Sequence, residues 1–179
     1  MENLQTAIFG GGCFWCIEAV FDRMQGVTSV ESGYMGGHVE NPTYRQVCNG
    51  DTGHVEVVRV TFDAGKTSFD ELLDVFFSVH DPTTLNRQGN DMGTQYRSVI
   101  FYTSEDQYRE AKKKIDELTA ARAWPNPIVT SLEPAGKFYM AEDYHQEYFA
   151  NNGSQPYCQF VVAPKVKKFQ QKFAEKLKA

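Results

Sequence analysis

The chain has 179 residues, with 41% apolar and 23% charged side chains and a net charge of −5. These values are typical of a soluble globular protein that buries one core, so we expect a single domain over residues 1–179. The acidic balance argues against nucleic acid and anionic membrane as partners, because both attract basic surfaces. No apolar run approaches the roughly 18 residues that cross a bilayer.

Cysteine use and the first residues predict the compartment. Residues 1–6 have neither the charged nor the apolar region of a secretion signal, so we expect a cytoplasmic protein. There the four cysteines would rest as thiols, and they are too few for a disulfide-stapled scaffold in a chain of this length. Redox chemistry, metal binding and core packing are the uses that remain.

The hydrophobic pattern predicts alternating strands and helices. The predicted strands are 7–10, 27–34, 55–62, 98–102 and 128–132, and the predicted helices are 13–24, 68–79, 104–122, 142–150 and 165–178. This order predicts an α/β (α+β) fold, with helices on a two-layer mixed sheet built around a split βαβ, ferredoxin-like core. Two long loops, 36–51 and 81–97, are candidates for function, and residues 151–179 form a coil-rich C-terminal segment.

The first motif places Cys13 directly after three glycines, where a helix is predicted to begin. Unpaired N–H groups and the dipole at a helix N-terminus favour an anion. A thiolate there has a lowered pKa, and the thiolate is the nucleophilic form of cysteine. Glycines let backbone or substrate approach closely. The sequence therefore predicts a reactive Cys13.

Two neighbours of Cys13 have two interpretations each. At 100° per residue, Trp15 falls on the polar face of the helix, where it forms a pocket wall beside Cys13 or packs under a long loop. Cys16 falls on the apolar stripe and is either a small core residue or the partner of Cys13 in a Cys-X-X-Cys redox pair. The residues alone leave both questions open.

A carboxyl group lies on the third predicted strand. Because side chains alternate along a strand, Glu56 shares a face with Val58, Val60 and Phe62. Burial among them would raise its pKa and keep it protonated near neutrality, which makes Glu56 a candidate general acid. The alternative is that Glu56 turns towards water or pairs with a base near the end of the strand.

Four motifs run in order through nearly the whole chain. They are GGCFW at 11–15, TGHVEV at 52–57, DMGTQYRS at 91–98 and AEDYHQ at 141–146. Together they resemble the motifs of the peptide methionine sulfoxide reductase A family, which acts on the S epimer of methionine sulfoxide, free or within proteins. The resemblance implies an α/β fold rich in coil, a peptide-methionine (S)-S-oxide reductase activity, and neither a resident cofactor nor a metal.

The resemblance also implies roles at the reacting atoms. Cys13 matches the nucleophile that attacks the sulfoxide sulfur, and Glu56 matches the acid that protonates the departing oxygen. Tyr44 and Tyr96 match tyrosines that hydrogen-bond this oxygen. A sulfoxide oxygen leaves poorly unless it is protonated, so a neutral Glu56 fits this chemistry.

Further residues match the substrate pocket of the family. Phe14 and Trp15 match the apolar site for the methyl group, and Asp91 matches an acidic residue that lines the site. His145, with Asp143, matches the rim that meets the substrate backbone.

The resemblance implies that a second thiol recycles the enzyme. Attack leaves Cys13 as sulfenic acid, which condenses with a thiol to a disulfide, and thioredoxin would reduce this bond. Cys158 matches a resolving cysteine on a mobile C-terminal segment, freed by residues 151–153. We favour Cys158 over Cys16, because a bond from Cys13 to Cys16 would distort the helix start. Cys48 is interpreted as a bystander.

Other functions are compatible with some of these residues. A thioredoxin-like disulfide oxidoreductase would use Cys13 and Cys16 but would leave Glu56 and the tyrosines unexplained. A zinc-binding or redox-sensing module would combine cysteines with histidines, yet Cys13 and Cys16 are the one close ligand pair in the sequence, and structural zinc sites usually have two. The basic helix 165–178 is predicted to be a solvated surface, with docking of acidic thioredoxin as the alternative.

Overall fold

The computed structural model describes residues 4–89, 91–146 and 148–174. These described ranges contain eight strands: β1 (Leu4–Gly10), β2 (Val27–Met35), β3 (Val55–Asp63), β4 (Arg87–Gln88), β5 (Asp91–Met92), β6 (Val99–Tyr102), β7 (Ser131–Pro134) and β8 (Tyr139–Met140). The same ranges contain six α-helices: α1 (Phe14–Phe21), α2 (Tyr44–Cys48), α3 (Phe69–Val79), α4 (Glu105–Ala120), α5 (Tyr148–Asn152) and α6 (Ala163–Lys172). No helix of this described part is long and apolar enough to cross a membrane.

The strands form a six-stranded mixed sheet in the order β7-β6-β1-β3-β2-β8, and β4 and β5 form a separate hairpin. β3 lies between β1 and β2 and is antiparallel to both, so the unit β1-α1-β2 is split by an inserted strand. β6 pairs with β1 in the antiparallel sense, and β7 with β6 in the parallel sense. The predicted mixed sheet with a split βαβ, ferredoxin-like core is confirmed.

Alternation along β3 decides where Glu56 points. Val58 and Phe62 pack into the large core between the sheet and the helices, whereas Val55 and Val57 belong to a smaller cluster on the opposite face. Glu56 is in phase with the first pair. The strand therefore carries a carboxyl group into the interior on the helix side of the sheet.

The connection from β1 to α1 is a tight glycine turn. Gly12 has φ +91°, a left-handed conformation that favours glycine. Cys13 follows with extended backbone (φ −66°, ψ 127°) and is the N-cap of α1, so the helix begins at Phe14 rather than at Cys13 as predicted. The polar face of α1 also differs from the prediction, because Glu18 is buried and accepts a hydrogen bond from Ser32 Oγ.

The C-terminal segment is helical over most of its described length rather than rich in coil. α5 ends at Asn152, and a π-helical turn, Cys158–Val162, continues into α6. Pro164 has no N–H for the carbonyl of Phe160, which accounts for the wider turn at this point. Residues 175–178 of the predicted final helix lie outside the described residues.

Other differences concern short elements. Loop 36–51 contains α2, and loop 81–97 contains the β4-β5 hairpin and a 3-10 turn. The helix predicted at 142–150 is a 3-10 turn followed by α5, and the strand predicted at 128–132 begins at Ser131. Elements of two to five residues are shorter than the window over which a hydrophobic period can be recognised.

A glycine closes the loop that carries Tyr44. The N–H of Gly37 donates to His54 Nδ1 at 3.0 Å, and a Cβ at Gly37 would lie 2.4 Å from the backbone N of His54 and the backbone O of Thr52. Backbone atoms cannot swing aside, so Gly37→Ala should lower the free energy of unfolding by about 2–3 kcal/mol. Urea unfolding measures this change.

The matched control is Gly136→Ala, since a Cβ at Gly136 would meet no atom within 4 Å. Its free energy of unfolding should stay within about 0.5 kcal/mol of the parent value. Equal losses in the two variants would contradict the close approach at Gly37.

Candidate active site

Three segments that are distant in sequence meet at the start of α1. The N–H of Gly12 donates to the carbonyl of Tyr96 at 3.2 Å, and the N–H of Phe14 donates to Glu56 Oε1 at 3.2 Å. These bonds hold Cys13, between Gly12 and Phe14, against the start of β3 and the 3-10 turn Thr94–Tyr96. A thiol and a carboxyl group thus share one interior site.

The thiol of Cys13 is 6% exposed and donates a hydrogen bond to Cys16. Burial raises its pKa well above the usual value, and the bond to Cys16 and the charge of Glu56 act in the same direction. The predicted lowering is therefore wrong for the free protein. The main cause is burial, and the N–H of Trp15, which lowers the pKa, acts too weakly to offset it.

Glu56 is fully buried, as its strand position predicts. Burial raises the pKa of its carboxyl group to about 8, assisted by the charge of Asp91 and opposed by the N–H of Phe14. Its second oxygen, Oε2, has no hydrogen-bond partner among the described residues. A carboxyl group with this pKa holds its proton at neutral pH, and the unpartnered oxygen is where that proton can be offered to a ligand.

Two tyrosine hydroxyls converge in front of this carboxyl group. Tyr44 is the first residue of α2, and Cys48 lies one turn later on the same face. The hydroxyls of Tyr44 and Tyr96 both donate to the thiol of Cys48. Burial raises the pKa of both tyrosines, and the nearby charge of Glu56 adds to this effect. Both hydroxyls therefore remain protonated donors.

Aromatic rings form one wall of the site. Phe14 is fully buried, with its ring centroid 6.2 Å from that of Tyr44. Trp15 stacks on Tyr148 with centroids 3.8 Å apart and lies 6.3 Å from Tyr44. Trp15 therefore packs between Tyr44, in the loop 36–51, and Tyr148 of α5, and its role as a pocket wall stays a prediction.

His145 completes this wall. Its Nδ1 accepts a hydrogen bond from Trp15 Nε1 at 3.0 Å, so Nε2 carries the proton of the neutral ring. Burial lowers the pKa of His145, which keeps the ring neutral. Nε2 is buried and has no partner in the described part of the chain. Asp143, two residues earlier, is exposed and stands outside this buried group.

Glu142 is a residue that the sequence reasoning did not assign to the site. Its Oε1 accepts a hydrogen bond from the Tyr34 hydroxyl at 3.1 Å, and its Oε2 accepts one from the N–H of Tyr44 at 3.1 Å. Tyr34 is the cross-strand neighbour of Glu56 in the β2–β3 register. One carboxylate thus ties α2, and with it the hydroxyl of Tyr44, to the strand beside the acid. The sequence signal that could have pointed to Glu142 was the position of its partner, Tyr34, in β2.

Tyr157 and Asp91 form a second unpredicted link. The Tyr157 hydroxyl donates to Asp91 Oδ2 at 2.8 Å, and the ring of Tyr157 meets that of Trp15 edge-on, with centroids 5.6 Å apart. Asp91, on β5, is therefore brought to the site through the C-terminal segment.

The four cysteines are free thiols, three buried and Cys48 exposed. Cys158 was predicted on a mobile segment, but it is fully buried in the π-helical turn and belongs to the same core cluster as Cys13 and Cys16. Within the described ranges, no group of three or more His, Cys, Asp or Glu side chains could hold a metal ion.

Comparison with known proteins places this geometry in a family. The family model for peptide methionine sulfoxide reductase matches residues 5–177. A peptide methionine sulfoxide reductase MsrA from Ralstonia nicotianae is 57% identical over 99% of this chain and 95% of its own length. The structure of reduced Mxr1 from Saccharomyces cerevisiae matches with a TM-score of 0.79 and 36% identity, covering 87% of this chain and 89% of that one. Mxr1 in complex with Trx2 matches with a TM-score of 0.56 and 26% identity over 81% and 84%.

Proposed function

Because this chain belongs to the peptide methionine sulfoxide reductase family, we propose that it reduces methionine S-sulfoxide, free or in proteins, to methionine, with Cys13 as nucleophile and Glu56 as general acid. The observation that carries the proposal is the hydrogen bond from the N–H of Phe14 to Glu56 Oε1, which sets a protonated, buried carboxyl group beside the thiol. A sulfoxide needs both groups at once, one at sulfur and one at oxygen.

The pocket is suited to a polar S–O bond that carries a small apolar group. The rings of Phe14 and Trp15 would pack against the methyl group of the substrate. The hydroxyls of Tyr44 and Tyr96, which remain protonated, would donate to the sulfoxide oxygen. The oxygen would then lie next to Oε2 of Glu56, which has no hydrogen-bond partner within the described ranges.

The reduction needs no added oxidant, because the sulfoxide itself oxidises Cys13. The sulfur of Cys13 attacks the sulfoxide sulfur while Glu56 gives its proton to the oxygen, and the proton of the thiol passes to Glu56. The S–O bond of the substrate then breaks as the hydroxyl group moves to Cys13. Methionine leaves, Cys13 is a sulfenic acid, and Glu56 is protonated as at the start.

The rim of the pocket would recognise the substrate backbone. The N–H at Nε2 of His145 is buried and has no partner among the residues that the structure describes, so a carbonyl group of the substrate would satisfy it. Asp143 and His145 belong to the 3-10 turn Asp143–His145. Asp143 is on its exposed side, where an amide or amino group of the substrate can reach it. Asp91 supports the site from β5.

A thiol supplies the electrons for recycling. A second cysteine of the chain condenses with the sulfenic acid, and thioredoxin reduces the resulting disulfide by thiol exchange. The complex of Mxr1 with Trx2 supports this choice of partner. The cycle uses no resident cofactor, and it requires a compartment that keeps thiols reduced, which is why we place the protein in the cytoplasm.

The test is an assay with separated epimers. Purified protein is incubated with the S or the R epimer of a methionine sulfoxide peptide and a small dithiol, and methionine is quantified, with Cys13→Ser alongside. We expect the S epimer alone to be reduced, and the variant to be inactive. If neither epimer is reduced while the thiols are intact, the proposal is wrong, and a disulfide oxidoreductase becomes the better hypothesis.

A further inference from the structure

The start of α1 removes the geometric objection to a bond between Cys13 and Cys16. That objection assumed that both residues lie within the helix. In the structure Cys13 is the N-cap with extended backbone, and Cys16 is the third helical residue. Side chains at these two positions are neighbours at every helix N-terminus, as the capping box shows. A bond between the two side chains therefore needs no distortion of the helix.

The contacts agree with this placement. The N–H of Cys16 donates to the carbonyl of Cys13 at 3.1 Å, and the two thiols are hydrogen-bonded to each other. Both side chains are buried, Cys16 with 3% of its surface exposed. The sulfur of Cys16 is thus adjacent to the nucleophile before any reaction, and no segment has to move to bring it there.

Cys158 has a different neighbour. It is fully buried in the π-helical turn that packs on α1, and the thiol whose charge acts on it is that of Cys16 rather than that of Cys13. Cys16 is on the buried face of α1, in the same core cluster as Cys158, so a bond between these two thiols can form where the π-helical turn packs on α1.

We propose that Cys16 is the first resolving thiol and that Cys158 then takes over the disulfide from it. This inference rests on the proposed function, because it starts from the sulfenic acid on Cys13. Cys16 attacks that sulfur, a bond between Cys13 and Cys16 forms, and the hydroxyl group leaves as water with one proton. Cys158 then loses its proton and attacks the sulfur of Cys16; the released sulfur of Cys13 takes up a proton and is again a thiol, and a Cys16–Cys158 disulfide remains.

The surroundings of Cys16 suit an attacking thiol. It accepts a hydrogen bond from Cys13, and the charge of Lys165 on α6 acts in the same direction, so that its pKa is lowered despite burial. The thiolate is the form that attacks sulfur. Cys158, by contrast, has a raised pKa because it is buried.

The order can be counted in methionines formed without any reductant. In the wild type the relay frees Cys13 for a second attack, so the burst should be two methionines per chain. Cys158→Ser should stop at the Cys13–Cys16 disulfide and Cys16→Ser at its first product, so each should form one. Cys48→Ser is the matched thiol control, since Cys48 lies outside the buried thiol cluster; losing the thiol that accepts the Tyr44 and Tyr96 hydroxyls can change the rate of the burst but not the number of methionines formed. Its burst should remain two.

A sulfenic-acid trap separates the two thiols. With dimedone present, Cys16→Ser should carry the adduct on Cys13, whereas Cys158→Ser should carry none and should show the Cys13–Cys16 disulfide on peptide mapping. Rapid formation of a Cys13–Cys158 disulfide in Cys16→Ser, with no trapped adduct, would overturn the proposal.

Two features keep this test decisive. The first methionine formed by each variant shows that it is folded and active, and if Cys16→Ser forms none, the order of disulfides in the wild type decides instead. The Cys13–Cys16 bond should appear before the Cys16–Cys158 bond in quenched samples, and the reverse order would contradict the proposal. Absence of methionine from the wild type would refute the proposed function itself, which is a separate result.

Discussion

Replacing Glu56 with glutamine should lower the rate of the first turnover by about 10³-fold, because an amide cannot give a proton to the sulfoxide oxygen and a well-placed general acid contributes about 10²–10⁴. The substitution keeps the shape of the side chain, and the amide oxygen can still accept the N–H of Phe14. Rapid quenching with excess enzyme and detection of methionine measures this step apart from thiol recycling. A rate within threefold of the wild type would remove Glu56 from the chemistry.

Stability provides the control for this variant. The carboxyl group has a pKa of about 8 in the folded protein against an ordinary value of 4.5. Between these two values the unfolded chain gives up this proton and the folded protein keeps it, so the free energy of unfolding falls as pH rises. Glutamine does not ionise, so this group causes no fall in the free energy of unfolding of Glu56→Gln as pH rises. Glu56→Gln should therefore be more stable than the wild type at pH 8 in urea unfolding, which excludes misfolding as the cause of its low activity.

The same carboxyl group should set the pH dependence of the wild type. Because the acid must be protonated, the first-turnover rate should decline as pH rises through about 8, and Glu56→Gln should show no decline at that point. A wild-type rate that rises steadily through this range would mean that ionisation of the Cys13 thiol, and not the acid, limits the reaction.

The double variant Tyr44→Phe with Tyr96→Phe should have the second large effect. Both hydroxyls remain protonated, and the nearby charge of Glu56 acts on both, so their loss would remove two donors from the oxygen on which negative charge develops. Removing one such donor from an enzyme site costs about 10²–10³ in rate, and we expect about 10³ for the pair, because either hydroxyl compensates in part for the other. Single-turnover rates of the two single variants and the double variant measure this coupling.

Tyr102→Phe is the matched control for the tyrosines. Tyr102 ends β6, and its ring packs against Tyr108 with centroids 5.1 Å apart. Its first-turnover rate should equal that of the wild type. If the double variant loses less than tenfold relative to Tyr102→Phe, the two hydroxyls do not stabilise the reacting oxygen.

Much of the fold was predictable because its main strands and helices are long and regular. The hydrophobic patterns of β3, α3 and α4 are local signals, and they predicted the ends of these elements to within two residues. The alternation along β3 predicted the burial of Glu56. Short elements such as α2 and the β4-β5 hairpin carry no period, and their positions depend on contacts with distant parts of the chain.

The parts of the site that could not be predicted depend on pairs of residues far apart in sequence. Glu18 lies on the predicted polar face of α1, yet it is buried in the structure, where it accepts a hydrogen bond from Ser32. The direction of the pKa shift at Cys13 follows mainly from how deeply the thiol is buried, and then from its contacts with Cys16 and Glu56, and the sequence alone does not give that burial. The burial of Cys158 likewise follows from how the last helices pack on α1.

The raised pKa of Cys13 has a consequence for survival under oxidants. Peroxides attack thiolates much faster than thiols, and they act most readily on exposed ones. The thiol of Cys13 keeps its proton and is almost wholly covered. The conditions that create methionine sulfoxide would therefore spare the resting nucleophile from over-oxidation, and it would become reactive only when a bound sulfoxide presents its sulfur atom. A repair enzyme built in this way stays active while the damage is still being done.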